Sequence, residues 1–304
     1  MALGSLVIIV LTGAAVRLTG SGLGCSDWPT CENNSLAPTS ATDFHPMIEF
    51  LNRLFTGVVS LSVVAALIGA YRRSPKRRDL ILGAWGLVFG VAANGILGGF
   101  TVLFELKPIF VIGHFLLSML LLWDAVVLVR RAGSVPGPRQ WASPGPIPGL
   151  CKATVVVASL VLISGTIVTG TGPNGGDEEV ERLALSLREV ARVHSLIAWA
   201  LVALSVAVAV QTAAASRTNQ RAMKAAYRLV VAVVAQGAIG YVQYFAGVPP
   251  VLVGIHVLGS VLVWMAAIDL YLSHRHPVAG TDTYADPVAP DSVKEWTGAD
   301  PQIA

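Results

Sequence analysis

The chain is poor in charge. Only 13% of its 304 residues are Asp, Glu, Lys or Arg, whereas about a quarter is usual in soluble domains. Hydrophobic residue types make up 54%, and the mean hydropathy is +0.67. This composition excludes a soluble globular enzyme, a disordered chain and a nucleic-acid-binding protein. It predicts a chain that is embedded in a lipid bilayer.

Apolar runs of the length that crosses a bilayer, about 20 residues, recur along the sequence. Eight such runs predict eight transmembrane helices, at roughly 2–18, 48–71, 79–103, 109–129, 153–171, 189–213, 226–245 and 251–272. The fold class is therefore predicted to be an all-α integral membrane protein.

Lys and Arg are concentrated in alternate loops. The basic loops are 71–79, 130–152 and 214–228, and the loops between them are poor in bases or rich in acids. Because cytoplasmic loops carry the excess of Lys and Arg, both termini are predicted to be cytoplasmic. The loops predicted to face outward are 19–47, 104–108, 172–188 and 246–250.

The two halves of the chain repeat. A shift of 142 residues superposes Asn94-Gly95 on Gln236-Gly237 and His114 on His256, and a shift of 152 superposes Gly13 on Gly165. Both halves have the same in/out sense, so the repeat is parallel, about an axis along the membrane normal. For Asn94 and Gln236 we expect interhelical hydrogen bonds.

The repeat predicts two pseudo-symmetric four-helix bundles. The predicted organisation is a first half at 1–131, a cytoplasmic linker at 132–150, a second half at 151–273 and a disordered cytoplasmic tail at 274–304. In that tail, His274 and His276 are expected to be solvated at the membrane interface.

Histidines lie near the outward ends of the helices. His194 and His256 occur at matched depth on alternate helices of the second half, which suits a haem, a planar cofactor whose iron facing imidazoles can hold. A structural pair or another metal is the alternative, but zinc would need further ligands. The corresponding positions of the first half hold Asn52 and His114, so that half is predicted to have an open face. His45 lies too far from Asn52 along the helix to compensate readily.

A carboxylate occurs only in the first half. Glu49, Asn52 and Arg53 follow helical spacing on one face, and the repeat partner of Glu49 is Ala191. Glu49 either has a chemical role or forms an ion pair with Arg53, and the spacing favours neither. Arg17, Arg53 and Arg192 are candidates to bind haem propionates, or they are interfacial side chains.

Two of the three cysteines fall in the first outward loop. Cys25 and Cys31 are spaced neither as CxxC nor as a zinc pattern, so they carry no metal signal. A disulfide is allowed outside the membrane, either as a staple of the loop or as an exchangeable redox switch.

In combination these residues resemble the haem A synthase family. The resemblance rests on TGAAVRLTGSGLGCSDWPTC, on IEFLNR with Glu49, on ANGILGG, and on the three helix histidines, and it covers about residues 5–272. Many members carry His where this chain has Asn52.

The resemblance implies two four-helix bundles and an enzyme that oxidises a methyl group of haem O to a formyl group by successive hydroxylations. It implies haem b between His194 and His256, with the substrate haem O on His114. It assigns catalysis to Glu49 and a disulfide to Cys25 and Cys31. The product, haem A, would supply cytochrome oxidase.

Further implied partners are the lipid bilayer, haem O synthase, oxidase assembly factors and an unidentified electron acceptor, in what we expect to be a bacterial cell membrane. A non-catalytic alternative is a two-haem membrane cytochrome b, or a haem carrier in oxidase assembly. An electron-transfer protein would have no use for Glu49 or for an open iron.

The loop charges generate a topology prediction. Pro75→Cys places a cysteine in the basic loop 71–79, which is predicted to be cytoplasmic, so it should not react with a membrane-impermeant thiol reagent applied to intact cells. Glu178→Cys places one in the loop 172–188, which is predicted to face outward, so it should react. The unsubstituted chain gives the background labelling. Labelling of position 75 from outside would overturn the orientation.

Overall fold

The computed structural model describes residues 1–277 apart from 33, 41, 143–144 and 216–218. Within them, each of the eight predicted apolar runs is a helix. The helices are α1 (Ala2–Leu18), α2 (Phe44–Arg72), α3 (Arg78–Leu103), α4 (Pro108–Ala132), α5 (Ile147–Thr171), α6 (Leu187–Ala215), α7 (Gln220–Phe245) and α8 (Pro250–Ser273).

Seven of these helices, α2 to α8, are long and apolar enough to cross a membrane. Helix α1 is apolar but has only 17 residues. The chain is thus an all-helical, multi-pass integral membrane protein, and a crossing by α1 stays a prediction.

Several helix ends follow from local chemistry. Pro108 and Pro250 begin α4 and α8, at a position where the missing N–H would have no partner in the helix anyway. The side chain of Asn219 accepts a hydrogen bond from the Ala222 N–H at 3.0 Å and caps α7. Helix α5 begins at Ile147, ahead of the apolar run at 153, so it takes up the end of the predicted linker.

The helices contact one another in two closed rings. Helix α1 contacts α2, α2 contacts α3, α3 contacts α4 and α4 contacts α1, and α5 to α8 repeat the same circuit. Contacts between the rings come from α1, α4, α5 and α8. Trp264 of α8 donates a hydrogen bond to the Met119 carbonyl of α4 at 2.9 Å, so a buried polar contact joins the rings.

The linker and the start of the tail pair with each other. Strand β1 (Arg139–Trp141) is antiparallel to β2 (Arg275–Pro277). His274 is 0% exposed and its Nε2 lies 3.3 Å from the Thr212 hydroxyl. The expectation of a solvated His274 in a disordered segment is therefore wrong, because strand pairing holds the chain after α8 against the helix ends.

His276 is exposed, as expected. The tail residues 278–304, predicted to be disordered, lie outside the described residues. We call the end of the molecule that carries β1 and β2 the linker end, and the end that carries Cys25 and Cys31 the disulfide end.

Loops of the two rings join at the disulfide end. The Gly22 N–H donates to the Gly176 carbonyl at 2.8 Å, which joins the first ring to the second. Within the second ring, the Asn174 side chain donates to the Val248 carbonyl at 3.2 Å. Gly176 has a φ of +113°, and a Cβ there would lie 2.9 Å from Leu106 Cδ1. This position needs glycine for both reasons, and the joined loops cover the helix ends beneath them.

Candidate functional site

One cavity of about 1470 Å³ runs between the two rings of helices. It collects side chains that are far apart in the sequence. Its wall includes every predicted site residue apart from the two cysteines, namely Arg17, Glu49, Asn52, Arg53, His114, Arg192, His194 and His256.

His194 and His256 face each other across the second ring. They lie on α6 and α8, which are diagonal in that ring, and their ring centroids are 6.4 Å apart with planes at 72°. Two metal–nitrogen bonds of about 2 Å each, plus the distance from each nitrogen to its ring centre, require about 6 Å. The two imidazoles can therefore hold one metal atom between them, as the two axial ligands of a haem iron do.

The Ser164 hydroxyl lies 2.9 Å from Nδ1 of His194. A hydrogen bond at the second ring nitrogen fixes the orientation of a metal-binding imidazole. Nδ1 of His256 is buried and has no hydrogen-bond partner among the described residues. Within those residues no group of three His, Cys, Asp or Glu is placed to bind a metal ion, so a small ion with several protein ligands does not fit.

Three glycines make room for the three imidazoles. A Cβ added at Gly98 would lie 3.1 Å from Cε1 of His114, at Gly165 3.1 Å from Cε1 of His194, and at Gly240 3.0 Å from Cε1 of His256. The edge of each imidazole thus packs against the helix that precedes its own in the chain. We did not assign these glycines from the sequence, although their place in the repeat was the signal that could have found them.

The first ring presents a single imidazole to the cavity. Diagonally opposite His114 lies Asn52, whose Oδ1 is buried without a hydrogen-bond partner among the described residues. Nδ1 of His45 lies 3.0 Å from the Ser21 hydroxyl, and His45 is not among the described residues that line the cavity. In this structure the His45 side chain thus lies outside the cavity wall, away from the face opposite His114.

Glu49 is buried, with 5% exposure, and both of its oxygens are engaged. Oε1 accepts hydrogen bonds from Arg53 Nη2 at 2.6 Å and Nε at 3.1 Å. Oε2 accepts one from the Cys25 N–H at 2.9 Å. The ion pair that the spacing allowed is present, and the carboxylate also binds the backbone of the first loop. Helix spacing does not predict this second contact, because it joins α2 to a loop that precedes it in the chain.

Cys25 and Cys31 form a disulfide, and both residues are fully buried. We call residues 25–31 the disulfide loop. Arg53 Nη1 donates to the carbonyls of Asp27, at 3.0 Å, and Thr30, at 2.8 Å. The loop is therefore bound to α2 through Glu49 and Arg53.

Trp28, at the tip of the disulfide loop, packs on α3. A Cβ at Gly99 would lie 2.6 Å from the Trp28 ring, so a side chain there would displace the tryptophan. Trp28 and Pro29 form part of the cavity wall. The loop thus closes the first ring at the disulfide end.

The remaining arginines differ in how they are held. Arg17 donates to the Asn174 carbonyl at 2.9 Å, whereas Arg192 is exposed and pairs with Glu189 at 3.2 Å. Arg182 also lines the cavity and lies against Gly175, and its partial burial lowers the pKa of its guanidinium. Arg182 is not among the site residues predicted from the sequence, because the loop around it is rich in acidic residues and gives no sign of a basic site.

Asn94 and Gln236 make the expected interhelical hydrogen bonds. The Asn94 amide donates to the Ser118 hydroxyl at 2.9 Å, and the Gln236 amide donates to the His256 carbonyl at 2.8 Å. Both bonds support the helices that carry the cavity histidines.

Comparison with known families gives a match over nearly the whole described part. The family described as "Cytochrome oxidase assembly protein" (COX15-CtaA) matches residues 1–268. The chain belongs to the COX15-CtaA family.

Relatives of this COX15-CtaA chain carry two kinds of name. A "Protoheme IX farnesyltransferase" of Thermus thermophilus is 29% identical over 284 residues, which is 88% of this chain and 46% of that protein. A "Heme A synthase" of Lysinibacillus sphaericus is 36% identical over 116 residues, 38% of this chain and 37% of that protein. Another, of Shewanella oneidensis, is 28% identical over 182 residues, 54% of this chain and 52% of that protein. The chain thus spans about half or less of the length of these relatives.

Removal of the disulfide should loosen the first ring. For Cys25→Ser with Cys31→Ser we expect a loss of about 2 kcal/mol in the free energy of unfolding, since the closed loop is short. Faster proteolysis at the disulfide loop and unchanged metal content should accompany it, with Cys151→Ala as the matched control. Denatured protein that takes up as much alkylating reagent before reduction as after it would show that the bond is absent, since Cys151 alone accounts for one alkylated thiol in either case.

Proposed function

We propose that the chain is a haem A synthase, which oxidises a methyl group of haem O to a formyl group by successive hydroxylations and so supplies haem A for cytochrome oxidase. The observation that carries the proposal is the asymmetry of the shared cavity. One ring of helices offers two opposed imidazoles, and the other offers one imidazole with a buried carboxylate. Family membership and the relatives named "Heme A synthase" support the same assignment.

The second ring is the proposed haem b site. His194 and His256 would hold its iron, since their separation fits a metal between them, and Gly165 and Gly240 leave space for the two imidazoles. Bound there, haem b supplies one-electron redox chemistry. Ser164 orients the imidazole of His194 by contact with its second nitrogen.

The first ring is the proposed substrate site. His114 would bind the iron of haem O, and Asn52 would line the opposite side and leave it open. The apolar walls of the cavity suit the farnesyl tail. Arg17 and Arg53, with Arg182 and Arg192 from the second ring, lie toward the disulfide end and would pair with propionates there.

Glu49 is the proposed catalytic residue. It would accept a proton released as the methyl carbon is oxidised, or stabilise positive charge that develops at that carbon, while the electrons removed pass to a separate electron acceptor. Arg53 and the Cys25 N–H hold the carboxylate in the cavity wall, so its position is fixed before the substrate arrives. The repeat position in the second ring is Ala191, so no carboxylate is repeated there.

The enzyme would work beside the activity that makes its substrate. The relative named protoheme IX farnesyltransferase aligns with 88% of this chain but is about twice as long as the aligned part. We propose that farnesylation of protohaem and oxidation of haem O are performed by adjacent membrane units. Eight crossings and cytoplasmic termini complete the proposed architecture.

Histidine variants distinguish the two proposed haem sites by their absorption spectra. His194→Ala or His256→Ala should abolish the low-spin haem b spectrum, because each removes one of the two imidazoles that would hold its iron, whereas His114→Ala should leave most of it. His45→Ala, outside the cavity wall, is the control. The reverse pattern, with haem b lost only in His114→Ala, would show that the sites are exchanged.

The catalytic role of Glu49 can be tested by identifying the haem that is extracted from the purified protein. Wild-type protein should yield haem A or hydroxylated haem O on extraction, whereas only haem b would indicate the non-catalytic cytochrome. Glu49→Gln should retain haem b and bound haem O but lower haem A formation by at least about a hundredfold, the usual contribution of a positioned acid or base.

Glu189→Gln is the matched control, because it breaks an exposed helical ion pair of the same type. Protease resistance of the disulfide loop separates lost chemistry from lost loop anchoring. Wild-type rates in Glu49→Gln would return Glu49 to the role of an ion-pair partner for Arg53.

A further inference from the structure

A second, smaller cavity lies at the linker end, where the two rings of helices meet. It has a volume of about 70 Å³. We call it the linker-end pocket, and it is lined by Arg130, Ser134, Arg139, Arg221, Leu272, Ser273, Arg275 and His276. We propose that this pocket binds the phosphate group of an anionic membrane lipid.

The positive charge of the pocket exceeds the negative charge available to it. Arg130 forms an ion pair with Asp269. The Asp269 carboxylate also forms an ion pair with Arg228, at 2.8 Å. Arg139 donates to the hydroxyl of Ser134. Arg275 donates to the Arg139 carbonyl at 3.2 Å and contacts the Tyr271 hydroxyl at 3.4 Å. One carboxylate thus serves two arginines, and the hydrogen bonds of Arg139 and Arg275 go to neutral groups among the described residues.

Two of these arginines also have unsatisfied donors. Nε of Arg130 and Nε of Arg275 are buried without a hydrogen-bond partner among the described residues. A buried donor without a partner is costly, and more so when it is charged. Oxygen atoms of a phosphate in the pocket would accept hydrogen bonds from such donors, since arginine and phosphate match in geometry.

Several positively charged arginine side chains lie close together at this end of the molecule. Burial lowers the pKa of the Arg139 guanidinium, and the nearby positive charges of Arg131 and Arg77 lower it further, with Asp79 opposing them. Bringing cations together in this way, with fewer carboxylates than arginines beside them, costs free energy. An anion bound among them would reverse that cost.

The position of the pocket identifies the anion as a lipid headgroup. Its residues come from the last turns of α4 and α8, the start of α7 and the paired strands, so it lies at the level where helices leave the bilayer. Trp141 lies beside it, with Arg275 and Lys152 each 5.8 Å from its ring, and tryptophan is typical of membrane interfaces. Basic pockets between transmembrane helices at the cytoplasmic face are typical sites for anionic headgroups. The volume admits a phosphate group, so the acyl chains would lie along the helices outside it.

The test uses the full chain, delipidated and reconstituted with defined lipids. Phosphatidylglycerol should raise the midpoint of thermal unfolding relative to phosphatidylcholine, and native mass spectrometry should find retained phosphatidylglycerol. Arg139→Gln with Arg275→Gln should weaken this binding by at least about tenfold, since two charged donors are lost. Arg72→Gln with Lys76→Gln removes the same charge from exposed positions at the same end and should leave the binding unchanged.

Several outcomes would overturn the proposal. Equal stabilisation by phosphatidylcholine, or an equal loss in the control pair, would show that no specific site exists. Inorganic phosphate that stabilises the protein as well as the lipid does, at the same concentration, would assign the pocket to free phosphate. If the double variant does not fold, the retained-lipid measurement on wild-type protein decides, and failure to retain phosphatidylglycerol over phosphatidylcholine would count against the site.

Discussion

A lipid bilayer offers no hydrogen-bond partner to a polypeptide backbone, and the rest of this structure depends on that constraint. Each apolar segment must satisfy its own N–H and C=O groups, so it becomes a helix. A cofactor-sized cavity can then open only between helices, where side chains are small. Gly98, Gly165 and Gly240 provide that space, and each receives an imidazole from the following helix.

The buried ion pair of Glu49 and Arg53 links the site to its cover. A buried carboxylate is tolerated when it is paired and hydrogen-bonded, and here the partners include the Cys25 N–H. Arg53 in turn binds two carbonyls of the disulfide loop. The group that lies in the cavity wall therefore also holds the loop closed, so the position of the loop and the position of the carboxylate are coupled.

The two rings share one framework but differ in what they present to the cavity. Asn52 and His194 occupy corresponding positions in the repeat, as do Glu49 and Ala191. In the second ring, His194 places an imidazole opposite His256. In the first ring, Asn52 places an amide opposite His114. One ring thus presents two opposed imidazoles to the cavity, and the other presents one imidazole with an amide and a buried carboxylate.

The sequence by itself determined the helical segments and the candidate histidines, because length, hydropathy and repeat register are local properties of the chain. It also indicated that Glu49 and Arg53 share a helix face. Only the tertiary structure decided that Cys25 is the second partner of Glu49, that His274 is buried, and that residues 139–141 pair with 275–277. Those contacts join residues distant along the chain, and periodicity within a helix carries no information about which loop or strand will pack against it.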